Sequence, residues 1–300
     1  MQDYDLIIVG GGMAGLTSAI YAARYNIKAL VISRELGGTT ATAHKVCNFP
    51  SYFEISGFEL MKKVREQVEK LGVPIALEEV LEIKKDKAGF IIKTSNNSYS
   101  SKKVIYAPGN LRRKLDIKGE KEFYGKGVSY CAVCDGPFFR YKVVAVVGGG
   151  NSALSAAILL AEKSKKVYII YRKSEFSKAE PAWVEAVKKS KNIEIMFDTE
   201  VMEIKGLKKV NSVVLNNKKE LKVDGIFIEI GSNPNPRAVD SLQLNTNNNY
   251  IVADKNQESN VKGFFVAGDV VDFEFKQAVV SAGHGAIATR AVYDSLKMEE

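Results

Sequence analysis

One turn occurs twice in this chain, and it restricts the possible fold more than any other feature. Leu6-Ile7-Ile8-Val9 runs into Gly10-Gly11-Gly12-Met13-Ala14-Gly15 and then into a stretch of small and apolar residues ending at Arg24. From Lys142, Val143-Val144-Ala145-Val146-Val147 runs into Gly148-Gly149-Gly150-Asn151-Ser152-Ala153 and an Ala/Leu-rich stretch, 138 positions on when Gly10 is matched to Gly148. Each copy reads as a doubly buried strand, a glycine turn and a helix, with a further strand at Ala29 to Ile32 and at Val167 to Ile170. The first glycine of such a turn permits the bend and the second lets the backbone approach a pyrophosphate. The third lets helix pack on strand, and the diphosphate sits at the positive end of the helix. Two copies in the same context predict an α/β protein with two Rossmann-like three-layer dinucleotide-binding domains.

Each copy also closes alike, on Val104-Ile105-Tyr106-Ala107-Pro108-Gly109 and on Gly225-Ile226-Phe227-Ile228-Glu229-Ile230-Gly231. A third fragment, Gly263-Phe264-Phe265-Val266-Ala267-Gly268-Asp269, belongs to neither repeat and leads through Gly283-His284-Gly285 into an apolar helix. It can complete the first domain after the second has been inserted. The expected division is 1–112 with 240–300 for the first domain and 113–239 for the second.

At 300 residues the chain exceeds what one hydrophobic core usually serves. No apolar run approaches the roughly 20 residues needed to span a bilayer, and Leu6 to Val9 is too short for a signal sequence, so a cytoplasmic protein without membrane attachment is expected. The net charge of +8 comes from 43 basic and 35 acidic residues scattered along the chain, which favours a solvated surface over nucleic-acid binding.

The acid that often holds a ribose at the end of the second strand is missing from both copies. Ser33-Arg34-Glu35 stands there in the first copy and Tyr171-Arg172-Lys173 in the second. Arg172 and Lys173 fit a 2′-phosphate, hence NADPH, or an ordinary solvated loop.

Two of the three cysteines form Cys131-Ala132-Val133-Cys134, followed by Asp135. Zinc would want four ligands, and Cys47, His44 and His284 stand at no paired spacing, so no metal is expected. A dithiol/disulfide couple next to redox cofactors fits better, because nicotinamide delivers two electrons as hydride and a flavin can pass them to a disulfide. Asp135 is either the proton donor for thiol exchange or a turn cap.

These residues together resemble the low-molecular-weight thioredoxin reductases of the flavoprotein disulfide reductase class, over essentially the whole chain. The carriers are Gly10 to Gly15, Gly37-Gly38, Asn48-Phe49-Pro50, Gly127 to Gly136 with the cysteine pair, Gly148 to Ala153, Gly231 with Pro234-Asn235, Val266 to Asp269, and Gln277-Ala278. The resemblance implies FAD at Gly10, Gly12, Met13, Ala14, Gly15, Ser33, Arg34, Glu35, Gly38, Thr39, Asn48, Ala107, Gly109, Gly268, Asp269, Lys276, Gln277 and Ala278. It implies NADPH or NADH at Gly148, Gly150, Asn151, Ser152, Arg172, Lys173, Lys178 and Gly231. Cys134 would face the flavin, Cys131 would attack the partner disulfide and Asp135 would act as acid/base. Asp269 would bond the ribityl chain and Gln277 would sit by the isoalloxazine. A homodimer, a thioredoxin- or glutaredoxin-like partner and hinges near Arg112 and Val239 are also implied.

The chain departs from that family at Thr39, Cys47 and Lys276, and at Tyr171 and Ser177, where part of the NADPH signature is altered. Cys47 is read as a small buried residue, with a free thiol near the flavin as the alternative, and His284 as a surface or helix-start residue, with a flavin contact as the lesser alternative. The alternatives are a related flavin reductase or dithiol oxidase with another partner or donor, and a nucleotide-sensing scaffold without chemistry.

Overall fold

Strand Gln2–Gly11 takes the middle of a seven-stranded sheet because its apolar run can be covered on both faces. It pairs in parallel with Ala29–Leu36 on one side, Leu6 opposite Ala29, and with Ser98–Tyr106 on the other, Ile7 opposite Val104. Ser98–Tyr106 divides its outer edge. Its first half takes the antiparallel strand Phe90–Thr94, and its second half takes Phe264–Val266 in parallel, Phe264 opposite Val104. The tail fragment therefore completes the first sheet after an intervening unit. The structure is a computed structural model that describes residues 2–234 and 237–299, without the side chain of Arg237. Asn235 of the Pro234-Asn235 pair lies outside the described residues.

One face of this sheet is closed by helices Met13–Arg24 and Ala278–Lys297, which approach closely because Gly285 has no side chain: a Cβ there would stand 2.3 Å from the Ala14 carbonyl oxygen. Ser18 Oγ donates to the Gly285 carbonyl at 3.2 Å, and Thr289 Oγ1 donates to the Ser18 carbonyl at 3.3 Å. The opposite face buries Ile7, Val9, Ile32, Val104, Tyr106 and Phe264 with Ile83 and Ile92 of the hairpin. Each large side chain removed from water there contributes about 1.5–3 kcal/mol.

The second unit repeats the plan with five parallel strands in the order Ile193–Met196, Lys166–Ile170, Val143–Val147, Gly225–Ile228 and Val128–Ser129. One face packs on helix Asn151–Ala161 through Ala153, Leu154, Ala157 and Leu160. The other packs on a three-stranded antiparallel sheet through Val201, Ile204, Val213 and Leu215, which gives three layers.

The units divide as 1–41, 46–111 and 233–300 against 42–45 and 112–232. The chain leaves the first unit after Leu111. The return falls at Asn233 and not at 240, because Val239 and Leu242 are buried in the first unit's core beside Ile83 and Phe264. Chain exit and return are tied together, since Asn110–Arg112 pairs with Ser232–Pro234 and Arg113 N–H donates to the Gly231 carbonyl at 2.9 Å.

Candidate functional site

The two glycine turns are built alike at the atomic level. Gly10 has φ +115°, and a Cβ there would lie 2.1 Å from the Ala107 carbonyl oxygen; Gly148 has φ +140°, and its Cβ would lie 2.2 Å from the Glu229 carbonyl oxygen. Only glycine fits between these neighbouring strand ends. Gly12 and Gly150 are the opposite case, with nothing within 4 Å of where a Cβ would stand. Each is the N-cap of its helix and neither helix has a side-chain cap. First-turn N–H groups left in this way, beside open space, are a ready anion cradle.

In the first unit the turn opens on a cavity of about 430 Å³. Gly10, Gly12, Met13, Ala14, Ser33, Arg34, Glu35, Gly38, Thr39, Ala107, Gly109, Gly268 and Asp269 all line it. Gly15 sits beneath, where a Cβ would be 1.9 Å from the Gly10 carbonyl oxygen. Ser33, in place of an acid, braces the turn: its Oγ accepts the Gly11 N–H at 2.9 Å and donates to the Glu35 carbonyl at 2.6 Å. Besides Gly15, four candidates lie off this lining: Asn48, Lys276, Gln277 and Ala278. Asn48 Nδ2 donates to Gln277 Oε1 at 3.0 Å, and Gln277 is the N-cap of the helix that begins at Ala278. Lys276 Nζ donates to the carbonyls of Asp269, at 3.1 Å, and Val271 and stands 4.0 Å from the Tyr250 ring centroid, so it braces the Asp269 turn from behind. Glu78 to Leu81 and Ala238 complete the wall. They come from a loop and the start of strand Val80–Lys85 and from the 3-10 turn Arg237–Leu242, far apart in sequence and without a motif, so nothing in the sequence pointed to them.

Asp269 follows Gly268, which has φ +79°, and its Oδ1 accepts from Ser281 Oγ at 3.3 Å. Burial raises its carboxyl above the usual range, against the opposing pull of Lys276 and Ser281. Burial likewise lowers the Lys276 ammonium, with Asp269 opposing. Two expectations are corrected by exposure. His284 is 8% exposed, since the helix packs this turn inward, and Cys47 is exposed because it stands on a loop.

In the second unit Tyr171 is buried, with its ring over the turn: a Cβ at Gly149 would lie 2.5 Å from three of its ring carbons. It stacks on Phe176 at 5.8 Å between centroids. Arg172, Lys173, Ser152 and Lys178 are exposed, and Lys178 is bridged through its backbone to Gly150. Asn151 is engaged with Glu180, accepting its backbone N–H at 2.7 Å and donating to Oε1 at 2.8 Å. Gly231, at φ +92°, holds the Arg113 backbone. Beneath the Gly148 turn Arg112 Nη1 donates to Glu229 Oε2 at 3.0 Å, and burial still pushes the Glu229 carboxyl up to about 7 against the pull of Arg112.

Cys131 and Cys134 form a disulfide with Cα atoms 5.3 Å apart. Cys131 is the N-cap of the single turn Ala132–Asp135, and its Sγ accepts the Cys134 N–H at 3.1 Å. Cys134 is exposed, Cys131 and Asp135 half-buried. A sulfur that receives an amide N–H at a helix start is stabilised as thiolate. Phe138 and Tyr124 stand 73% and 64% exposed on the same unit.

Comparison with known proteins agrees with this geometry. The family model described as pyridine nucleotide-disulphide oxidoreductase matches residues 4–285. A thioredoxin reductase of Treponema pallidum (strain Nichols) is 39% identical over 296 residues, 96% of each chain. Among solved structures, Lactococcus lactis thioredoxin reductase in its FR conformation matches with TM-score 0.95 at 36% identity, covering 98% of this chain and 99% of that one. Thioredoxin reductase of T. acidophilum matches with TM-score 0.93 at 36% identity over 99% and 100%.

Proposed function

The chain belongs to the pyridine nucleotide-disulphide oxidoreductase family, and from that premise we infer that it is an FAD-dependent thioredoxin reductase, drawing on NAD(P)H and passing electrons through Cys131 and Cys134 to a thioredoxin-type partner. The carrying observation is the disulfide itself, placed at the surface of a unit that also holds a glycine cradle.

The residues of the first unit fit FAD. Gly12 leaves room for a diphosphate at uncapped amides, and the buried Asp269 carboxyl offers an acceptor to a hydroxyl-bearing chain. Bound there, FAD would supply the two-electron exchange between nicotinamide and disulfide. We assign the second cradle to the nicotinamide dinucleotide. NADPH is preferred over NADH because Arg172 and Lys173 stand exposed at the strand end, with Lys178 tied beside Gly150.

The net change is NADPH, one proton and a disulfide giving NADP⁺ and a dithiol. In the dithiol state, the Cys131 thiolate, held by the Cys134 N–H, attacks a partner disulfide and forms a mixed disulfide. Cys134 then attacks the Cys131 sulfur, which restores the Cys131–Cys134 bond and releases the partner as dithiol. We assign protonation of the departing thiolate to Asp135, a reading supported by its position on the same turn. The exposed Phe138 and Tyr124 rings support a protein partner. The reading includes a cytoplasmic homodimer; among the described residues no helix is long and apolar enough to cross a membrane.

Recording the visible spectrum of the purified protein, then adding NADPH and NADH separately without oxygen, tests this directly. Flavin absorbance bleached by NADPH is expected. Absence of flavin would sink the reading, and flavin bleached by neither nucleotide would transfer the donor role elsewhere. Sedimentation of the holoenzyme checks the dimer.

A further inference from the structure

Among the described residues, three buried side-chain polar atoms lack a hydrogen-bond partner: Ser101 Oγ, Gln257 Oε1 and His284 Nδ1. Only the imidazole changes charge near neutrality. His284 lies one helical turn beyond Ser281, which lines the dinucleotide cavity and donates to Asp269. The Gly268 backbone favours the charged imidazole, and Nδ1 has no hydrogen-bond partner. Nδ1 is a buried ring nitrogen left free to bind a proton, one helical turn from a residue that lines the cavity.

The groups facing it come from separate elements. The Asp269 carboxyl approaches from the 3-10 turn Gly268–Val270 and favours the charged imidazole. The Lys276 ammonium, from the segment before the helix, opposes it and itself faces Asp269 and Asp272. The Phe273 ring meets the imidazole edge-on at 5.2 Å between centroids. Burial is the leading cause of shift for Asp269, Lys276 and His284 alike, and in each it disfavours the charged form. Where desolvation already disfavours charge on every group, a new charge nearby is weakly screened and acts strongly on their protonation.

We propose that His284 Nδ1 is a redox-linked proton site of the first unit, binding one proton when the cavity gains an electron pair and giving it up when the pair leaves. The proposal rests on the FAD assignment above. A hydride brings two electrons and one proton, whereas reduction of a disulfide to two thiols consumes two electrons and two protons. His284 takes the second proton from solvent and holds it next to the cavity until Cys131 and Cys134 are reduced.

The chain has only two histidines, so the imidazole can be followed directly. The flavin-loaded protein carrying Cys131→Ser and Cys134→Ser, labelled isotopically at histidine, would be titrated by NMR when oxidised and when reduced anaerobically with dithionite. His44→Gln removes the other resonance and identifies His284 without altering it. The expected result is a His284 midpoint at least one pH unit higher in the reduced protein, a tenfold gain in proton affinity. Coincident titrations in a flavin-loaded protein would overturn the proposal alone, whereas a protein that binds no flavin would overturn the proposal and the FAD assignment together. In a second measurement, the flavin midpoint potential of His284→Asn should fall with pH less steeply than the wild type, by about 30 mV per pH unit over the range where His284 titrates. Parallel lines would count against the proposal.

Discussion

Arg112 Nη1 donates to Glu229 Oε2 at 3.0 Å, and yet burial keeps the Glu229 carboxyl titrating at about 7, above its ordinary 4.5. The folded protein thus holds this proton more tightly than the unfolded chain. The contribution to stability is full below 4.5 and is lost as the pH rises through about 7. Thermal melts across that range should show the loss in the wild type and a flatter profile in Glu229→Gln. Arg112→Ala strands the carboxylate and should cost about 3 kcal/mol above neutrality, less where the carboxyl is protonated. Equal slopes in wild type and Glu229→Gln would refute the shift.

Gly10 and Gly12 stand two residues apart and should fail differently. Gly10→Ala forces a methyl to within 2.1 Å of the Ala107 carbonyl oxygen at φ +115° and should cost at least ~3 kcal/mol of stability. Gly12→Ala meets open space and should cost about 1 kcal/mol or less, while flavin retention falls at least tenfold. Melting curves and flavin content measured together separate the two. A flavin-replete Gly12→Ala would remove the cradle assignment.

If Arg172 and Lys178 hold a 2′-phosphate, Arg172→Ala and Lys178→Ala should each raise the KM for NADPH by about 10- to 100-fold, leaving that for NADH within about twofold. Equal effects on both donors would mean the cations serve only as solvated surface. Tyr171 should tolerate neither role: its ring packs on Gly149, so Gly149→Ala should destabilise the second unit by about 1–3 kcal/mol.

Cys131→Ser should abolish thioredoxin turnover and leave flavin bleaching by the nicotinamide intact. Asp135→Asn should slow turnover by about 10²- to 10⁴-fold with bleaching again unchanged, if proton delivery is its task. Turnover retained by Cys131→Ser would reject the dithiol mechanism itself, since neither order of attack can run on one sulfur.

The strands, glycine turns and dithiol could be read from the sequence because each is written in adjacent residues: an apolar run, glycines at fixed spacing, two cysteines three apart. What escaped is set by contacts distant in sequence. Glu78 to Leu81 reach the cavity from a loop and the strand start that follows it, and Val239 and Leu242 return to the first core although nothing local marks Asn233 as the crossing. His284 sits between two glycines, a pattern that suggests exposure, but its helix face is covered by Phe273 and the Gly268 turn. Tyr171, where the NADPH signature is altered, is buried because Gly149 presents bare backbone to its ring.

Strands Asn110–Arg112 and Ser232–Pro234 pair directly, so the 112–232 span begins and ends one strand spacing apart, about 4.8 Å. A segment whose ends meet behaves as a cassette. It can be lifted out and its host rejoined with a short linker, or replaced by the matching span of a relative without lengthening the chain path. The residues proposed to choose the electron donor and the protein partner all lie on that cassette, so both preferences should travel with it when it is transplanted.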